Sequence, residues 1–170
     1  MGKTQLKKEL ATFSREQLEQ MVLEAYSARK EIKAYFDFFL NPDVDKLEEK
    51  YMAVVQKELK RTRRGSLSRC RITVIKKAIR EFSSFQPGFD REIEFAVKVV
   101  KAALHEEKYV YFTEAMFKSF ALIVKQTIQL ADRNMQAEMA LSKFLTLLRS
   151  SAIGTQHFRR YLLQALEQSE

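Results

Sequence analysis

The sequence predicts an all-α fold, a single-domain helical bundle or irregular α-α stack of about seven to nine helices covering residues 1–170. Glycine and proline are scarce, with four and two in 170 residues, whereas an all-β domain needs them for its many turns. Between these breakers, apolar residues recur at steps of three and four, which is the period of a half-buried helix. Bundle and stack stay open as alternatives, because successive helix pairs suit both.

One short run, Tyr109 to Thr113, has the composition of a β-strand. A lone strand has no partner for its backbone hydrogen bonds, so the run is better explained as an aromatic connector. Thr113 then stands where it would cap the next helix through its hydroxyl. The absence of a second strand-like run is the third observation that favours an all-α fold.

The first helices are bounded by clear signals. Ser14 and Gln17 have the spacing of a capping box, which predicts a helix start at that point. Asn41-Pro42 ends the amphipathic stretch before it, since the residue preceding a proline is disfavoured in a helix. The apolar faces of these helices comprise Leu18, Met21, Val22 and Ala25; Ile32, Tyr35, Phe36 and Phe39; and, after the proline, Val44, Leu47, Tyr51, Val54, Val55 and Leu59.

The later helices are separated by Pro87-Gly88 and by Gly154, which we expect to be the C′ residue that ends a helix. The stretch from Phe117 to Met135 has the widest apolar arc, which is typical of a central helix that packs on several sides. We expect this helix to form the core of the fold. Its predicted core residues are Phe117, Phe120, Val124 and Ile128, together with Leu148 from a later helix.

Positive charge is concentrated in one segment. Between Lys57 and Arg80 there are ten basic residues and a single acid, Glu58, a local balance of +9 in a chain whose net charge is +8. A basic connector near residues 61–68 would join two helices here, and their tip would present a positive surface suited to phosphate groups. The candidate polyanion-binding residues are Lys57, Lys60, Arg61, Arg64, Arg69, Lys76, Lys77 and Arg80.

Three functions are compatible with this pattern. We expect a non-enzymatic interaction or adaptor module that binds a protein partner or forms a homo-oligomer, because 13 Phe and 6 Tyr supply apolar surface as well as a core. The alternative is binding of nucleic acid or another polyanion through the basic segment, although no known nucleic-acid-binding signature accompanies it. An enzyme of unrecognised type is the third hypothesis.

No catalytic, cofactor-binding or metal-binding residue is predicted. No phosphate-binding glycine loop or zinc motif is present, and His105 and His157 each lack a second histidine nearby. Asp37 lies within an aromatic run, where it is either a ligand anchor or a surface charge paired with Lys33 four residues earlier. The sequence therefore predicts no cofactor.

The single cysteine, Cys70, excludes an internal disulfide and fits a reducing compartment. Arg69 and Arg71 flank it, which would make it a redox-sensitive thiol if their charges lowered its pKa; otherwise it is structural. The first ten residues lack the apolar region of a secretory signal, and no apolar run is long enough to span a membrane. We expect a cytoplasmic protein without membrane contact.

The first third of the chain resembles a known family. The segments that carry the resemblance are Leu6 to Leu10, Ser14 to Leu18, Glu31 to Pro42, with its aromatic run closed by Leu40-Asn41-Pro42, and Lys50-Tyr51. They are similar to the opening of a family of small, uncharacterised helical bacterial proteins. The resemblance over Leu6 to Tyr51 implies a bacterial, intracellular, helical protein and transfers no functional residue.

Overall fold

The computed structural model describes residues 2–62, 67–150 and 154–167. Within these ranges the chain forms nine α-helices and no strand, so the predicted all-α class is confirmed, at the upper end of the expected number of helices. The helices are α1 (Lys3–Leu10), α2 (Arg15–Ala28), α3 (Lys30–Leu40), α4 (Val44–Leu59), α5 (Ile72–Ser84), α6 (Phe89–Glu106), α7 (Glu114–Arg133), α8 (Ala137–Arg149) and α9 (Gln156–Glu167).

The chain divides into two compact units. The first unit ends at Asp43 and contains α1 to α3, whereas the second begins at Val44 and contains α4 to α9. In each unit the regular secondary structure of the described residues is α-helix. This division does not test whether residues 1–170 fold as one domain, which stays a prediction.

The first unit is organised by its local signals. The predicted capping box is confirmed, because the Ser14 hydroxyl accepts the Gln17 backbone N–H at 3.2 Å and the Gln17 side chain accepts the Ser14 N–H at 2.8 Å. Arg29 alone separates α2 from α3, in an extended conformation. The two helices fold back on each other around Tyr26, whose ring centroid lies 6.4 Å from that of Phe36. No side chain of α1, α2 or α3 is fully buried.

The second unit has a continuous apolar core centred on α6 and α7. The five predicted core residues Phe117, Phe120, Val124, Ile128 and Leu148 are all buried. Phe117 stacks on Phe158 of α9 with a centroid distance of 4.6 Å, so α7 is the central helix that the wide apolar arc predicted. On the other side of the core, Phe82 and Phe95 stack at 4.3 Å and join α5 to α6.

The breakers act as predicted with one exception. The helix α3 ends before Asn41-Pro42, and α6 begins after Gly88, whose φ of 105° is accessible to glycine. Gly154 was expected to be the C′ residue of a helix, and this prediction is wrong because α8 already ends at Arg149. Gly154 has a φ of +71° and lies against Leu104, whose Cδ2 would be 2.5 Å from a Cβ at this position. The left-handed backbone and the close packing against α6 therefore both favour glycine here.

The two long connectors of the second unit contact each other. The Ser68 N–H donates to the carbonyl of Tyr111 at 3.0 Å, within an isolated bridge between Leu67 and Tyr111. The run from Tyr109 to Thr113 is thus an aromatic connector, as expected, and Thr113 takes the N-cap position of α7 without a side-chain hydrogen bond. Of the basic connector near 61–68, residues 63–66, and with them Arg64, lie outside the described residues.

In the described part of the chain, none of the helices combines the length and apolar character needed to cross a lipid bilayer.

The position of Phe120 in the centre of the core generates a stability prediction. We expect Phe120→Ala to lower the free energy of unfolding by about 3–5 kcal/mol, because the fully buried ring is replaced by a cavity. Leu122→Ala on the same helix is the control, since Leu122 is 42% exposed and should cost less than about 1 kcal/mol. Urea denaturation followed by circular dichroism measures both. Equal losses in the two variants would show that α7 is not central.

Candidate functional site

The one acid of the basic segment, Glu58, is buried at the junction of α4 and α5. Only 4% of Glu58 is exposed, and its carboxylate accepts hydrogen bonds from two arginines. Arg71 donates through Nη2 at 2.6 Å, Nε at 3.1 Å and its backbone N–H at 3.2 Å, and Arg61 donates through Nη1 at 3.1 Å. These bonds, those of the Arg71 side chain above all, lower the pKa of Glu58 from its ordinary 4.5 to about 2.

This junction determines the chemistry of Cys70. From the sequence, Cys70 was either a structural cysteine or a redox-sensitive thiol whose pKa is lowered by Arg69 and Arg71. In the structure burial raises the pKa of Cys70 to about 12, and the Glu58 carboxylate raises it further than Arg61 or Arg71 lowers it. The hypothesis of an activated thiol is therefore wrong, because burial raises the pKa of Cys70 and the charge of Arg71 is already paired with Glu58.

The predicted basic set is divided among different environments. Arg61 is bound to Glu58, and Lys77 forms an exposed ion pair with Glu81, at 3.4 Å, one turn further along α5. The remaining members that the structure describes have exposed or half-buried side chains, and none of them forms an ion pair with another described residue. These members are Lys57, Lys60, Arg69, Lys76 and Arg80.

A groove between α5 and α7 contains two of these cations. Its volume is about 480 Å³, and Lys76 and Arg80 line it from α5. Its apolar lining comes from both helices, and Thr127, whose hydroxyl donates to the Ile123 carbonyl at 2.8 Å, adds no free donor. The lining therefore combines an apolar floor with two positive charges and no acid. Its remaining residues are Thr73, Ile79 and Ser83 from α5 and Ile123, Gln126 and Leu130 from α7.

A second groove, between α4 and α6, is lined by a different member of the basic set. Lys60 lines this groove of about 550 Å³ together with Lys98 and Lys101. Lys98 forms an ion pair with Glu48, which is mostly buried. Glu48 and Glu106 both line the groove, so this groove contains acidic as well as basic side chains. Three of the candidate residues that sequence reasoning grouped on one surface thus line two different grooves of the same unit, Lys60 in one and Lys76 and Arg80 in the other. Polyanion binding by the whole set stays a prediction.

Asp37 and the two histidines each have contacts within their own unit. Asp37 accepts the Tyr26 hydroxyl at 2.7 Å within the first unit, and this bond raises the pKa of Tyr26. His105 is exposed at the end of α6, and His157 lies edge-on to the Phe117 ring with centroids 5.4 Å apart. Within residues 2–62, 67–150 and 154–167, no group of three His, Cys, Asp or Glu side chains could hold a metal ion.

Sequence reasoning missed the role of Glu58 and the contribution of α7 to the groove. A signal for Glu58 was present, since a single acid among ten bases is the natural partner for some of them. No comparable signal identified Gln126, Thr127 and Leu130, because they line the groove only once α7 packs beside α5. The groove depends on tertiary structure, whereas the charges on its rim can be read from the sequence.

The buried Glu58 cluster predicts a pH-dependent contribution to stability. We expect Glu58→Gln to lower the free energy of unfolding by about 1.5–3 kcal/mol at neutral pH, because charged hydrogen bonds to both arginines are lost. A pKa lowered from 4.5 to about 2 means that the difference between wild type and variant is complete above about pH 5. It should vanish as the pH falls towards 2. Chemical denaturation across this pH range measures it.

The control for this prediction is Glu81→Gln, which removes the exposed ion pair with Lys77 on the same helix. We expect a change below about 0.5 kcal/mol from it, because exposed ion pairs contribute little. A Glu58→Gln effect that stays constant from pH 7 to pH 2 would contradict the proposed role of the carboxylate charge.

Comparison with known proteins identifies the family without assigning a function. A family model described as a family of unknown function, DUF6155, matches residues 1–161. The resemblance that was found over Leu6 to Tyr51 therefore extends across nearly the whole chain, and its restriction to the first third is wrong. No curated protein and no solved structure matches the sequence. The chain belongs to the DUF6155 family of unknown function.

Proposed function

We propose that the protein is an interaction module whose groove between α5 and α7 binds an acidic, amphipathic segment of a partner protein. The observation that carries the proposal is the composition of the groove, in which Lys76 and Arg80 stand beside an apolar floor and no acid lines it. A segment with apolar residues on one side and carboxylates at the edge would match both features.

The dimensions of the groove favour a short helix as the bound element. Its lining on α5 extends from Thr73 to Ser83, which corresponds to about 15 Å along a helix axis. A bound helix of about ten residues has this length, and its apolar side chains would recur at steps of three and four. Ile79, Ile123 and Leu130 supply apolar contacts for those side chains.

The cations on the groove are available for a partner's carboxylates. Lys76 and Arg80 form no ion pair with any other residue in the described ranges, whereas their neighbour Lys77 is paired with Glu81. Carboxylates that reach Lys76 and Arg80 next to an apolar surface gain more than they would in open solvent, because the local dielectric constant is lower. Charge complementarity therefore supports an acidic partner.

The test is binding of a fluorescent, helix-forming peptide with leucines at steps of three and four and glutamates flanking them. We expect saturable binding in fluorescence anisotropy, and the double variant Lys76→Glu, Arg80→Glu should weaken it at least about tenfold, because the repulsion replaces two attractive contacts. The matched control is Lys57→Glu, Lys101→Glu, which changes the net charge equally at residues that do not line the groove. This control should bind like the wild type.

Two further probes distinguish the proposal from its alternatives. A peptide in which serine replaces the leucines should bind weakly if the apolar floor contributes. The alternative of nucleic-acid binding predicts instead that a DNA duplex binds and that both double variants weaken it. Its log affinity would then fall with log salt at a slope of about −3.6 for four phosphate contacts. That result, or equal peptide binding by all variants, would overturn the proposal.

A further inference from the structure

The two walls of the groove between α5 and α7 differ in charge. Lys76 and Arg80 both lie on the α5 wall, and no acid lines either wall. The α7 wall is uncharged and is composed of Ile123, Gln126, Thr127 and Leu130. A helix bound along the groove would therefore contact two cations on one of its flanks and neutral side chains on the other.

The two cations form a row along α5. Lys76 and Arg80 are four residues apart, which places them on the same side of the helix and about 6 Å apart along its axis. Lys76 is half-buried and Arg80 is exposed. Two carboxylates that are three or four residues apart on a partner helix have the matching spacing. The α5 wall is therefore suited to a row of acids rather than to a single acid.

Gln126 is the exposed polar residue that a bound helix would meet on the α7 wall. Its side chain forms no hydrogen bond with another residue in the part of the chain that the structure describes. An amide is neutral and both donates and accepts hydrogen bonds, so it favours neither an acid nor a base on that flank of the partner. Arg133 follows on the same stripe of α7 about 10 Å along the axis and does not line the groove.

We propose that this groove selects a partner helix whose acidic residues lie on one flank only of its apolar stripe, and that it binds this helix in one direction. This selectivity rests on the proposed function, since it specifies the partner of the same groove. Only one direction of such a helix places its acids against Lys76 and Arg80, because reversing the helix turns them towards Gln126. A base on the acidic flank would face the two cations and be rejected by repulsion.

The experiment compares two peptides of identical composition and zero net charge, each with a leucine stripe and a hydrocarbon staple that keeps it helical. The one-flank peptide has glutamates on one flank and lysines on the other, whereas the mixed-flank peptide alternates both on each flank. Because neither peptide is charged overall, the net charge of +8 does not distinguish them. We expect the one-flank peptide to bind at least about tenfold more tightly in fluorescence anisotropy, since no lysine faces the α5 wall.

The direction of binding is the second readout. A nitroxide label on the N-terminus of the one-flank peptide broadens the NMR signals around Thr73 or around Ser83, which lie at opposite ends of the α5 wall. In the variant Lys76→Glu, Arg80→Glu this peptide should still bind, but with the label at the other end, because its lysines now face α5. The control Arg133→Gln should keep both the wild-type preference and the wild-type direction.

The outcomes separate this inference from the function on which it rests. Equal affinity of the wild type for the one-flank and mixed-flank peptides would overturn the selectivity and leave peptide binding in place. A label at the same end in the wild type and in the variant Lys76→Glu, Arg80→Glu would do the same. If neither stapled peptide binds, and the leucine peptide with glutamates on both flanks also fails to bind, the proposed function is overturned together with the selectivity.

Discussion

The arrangement of the second unit depends on the buried carboxylate of Glu58. It accepts a backbone bond and two side-chain bonds from Arg71, thirteen residues later, and so joins the end of α4 to the start of α5. Arg71 is also the N-cap residue of α5, so the same bonds determine where that helix begins. A buried carboxylate without these partners would be strongly destabilising. The packing of α4 against α5 therefore requires the hydrogen bonds between Glu58 and the two arginines. The direction of α5 in turn places Lys76 and Arg80 at the groove.

The basic segment therefore has two roles that its composition alone does not separate. Arg61 and Arg71 have a structural role, since their charge neutralises Glu58 inside the protein. Lys76 and Arg80 instead line the groove between α5 and α7, where we propose that they bind the carboxylates of a partner. The local balance of +9 is thus not a measure of the charge offered to a partner. Counting basic residues overestimates the positive charge of a binding surface wherever some of them are paired with a buried acid.

Much of the fold was predictable because its signals are local. The Ser14 to Gln17 capping box, the break at Asn41-Pro42 and the apolar arc of α7 each depend on residues close in sequence, and all three agree with the structure. The candidate groove was only half predictable, since its cations lie on α5 while Gln126 and Leu130 come from a helix that approaches only on folding. The same limit explains the error at Gly154, whose role is set by a tertiary contact with α6.

That contact at Gly154 restricts how the connector between α8 and α9 can vary during evolution. Two independent requirements act at this position, a left-handed backbone with a φ of +71° and a close approach to the Leu104 side chain. A smaller residue at position 104 would relieve the steric requirement and leave the conformational one in place. A substitution of Leu104 alone therefore cannot remove the strain that a side chain at position 154 would cause. Thr155, the next residue, donates two bonds to Glu107 at 2.9 Å, so the strained position lies directly beside the contact that holds the start of α9 against the end of α6.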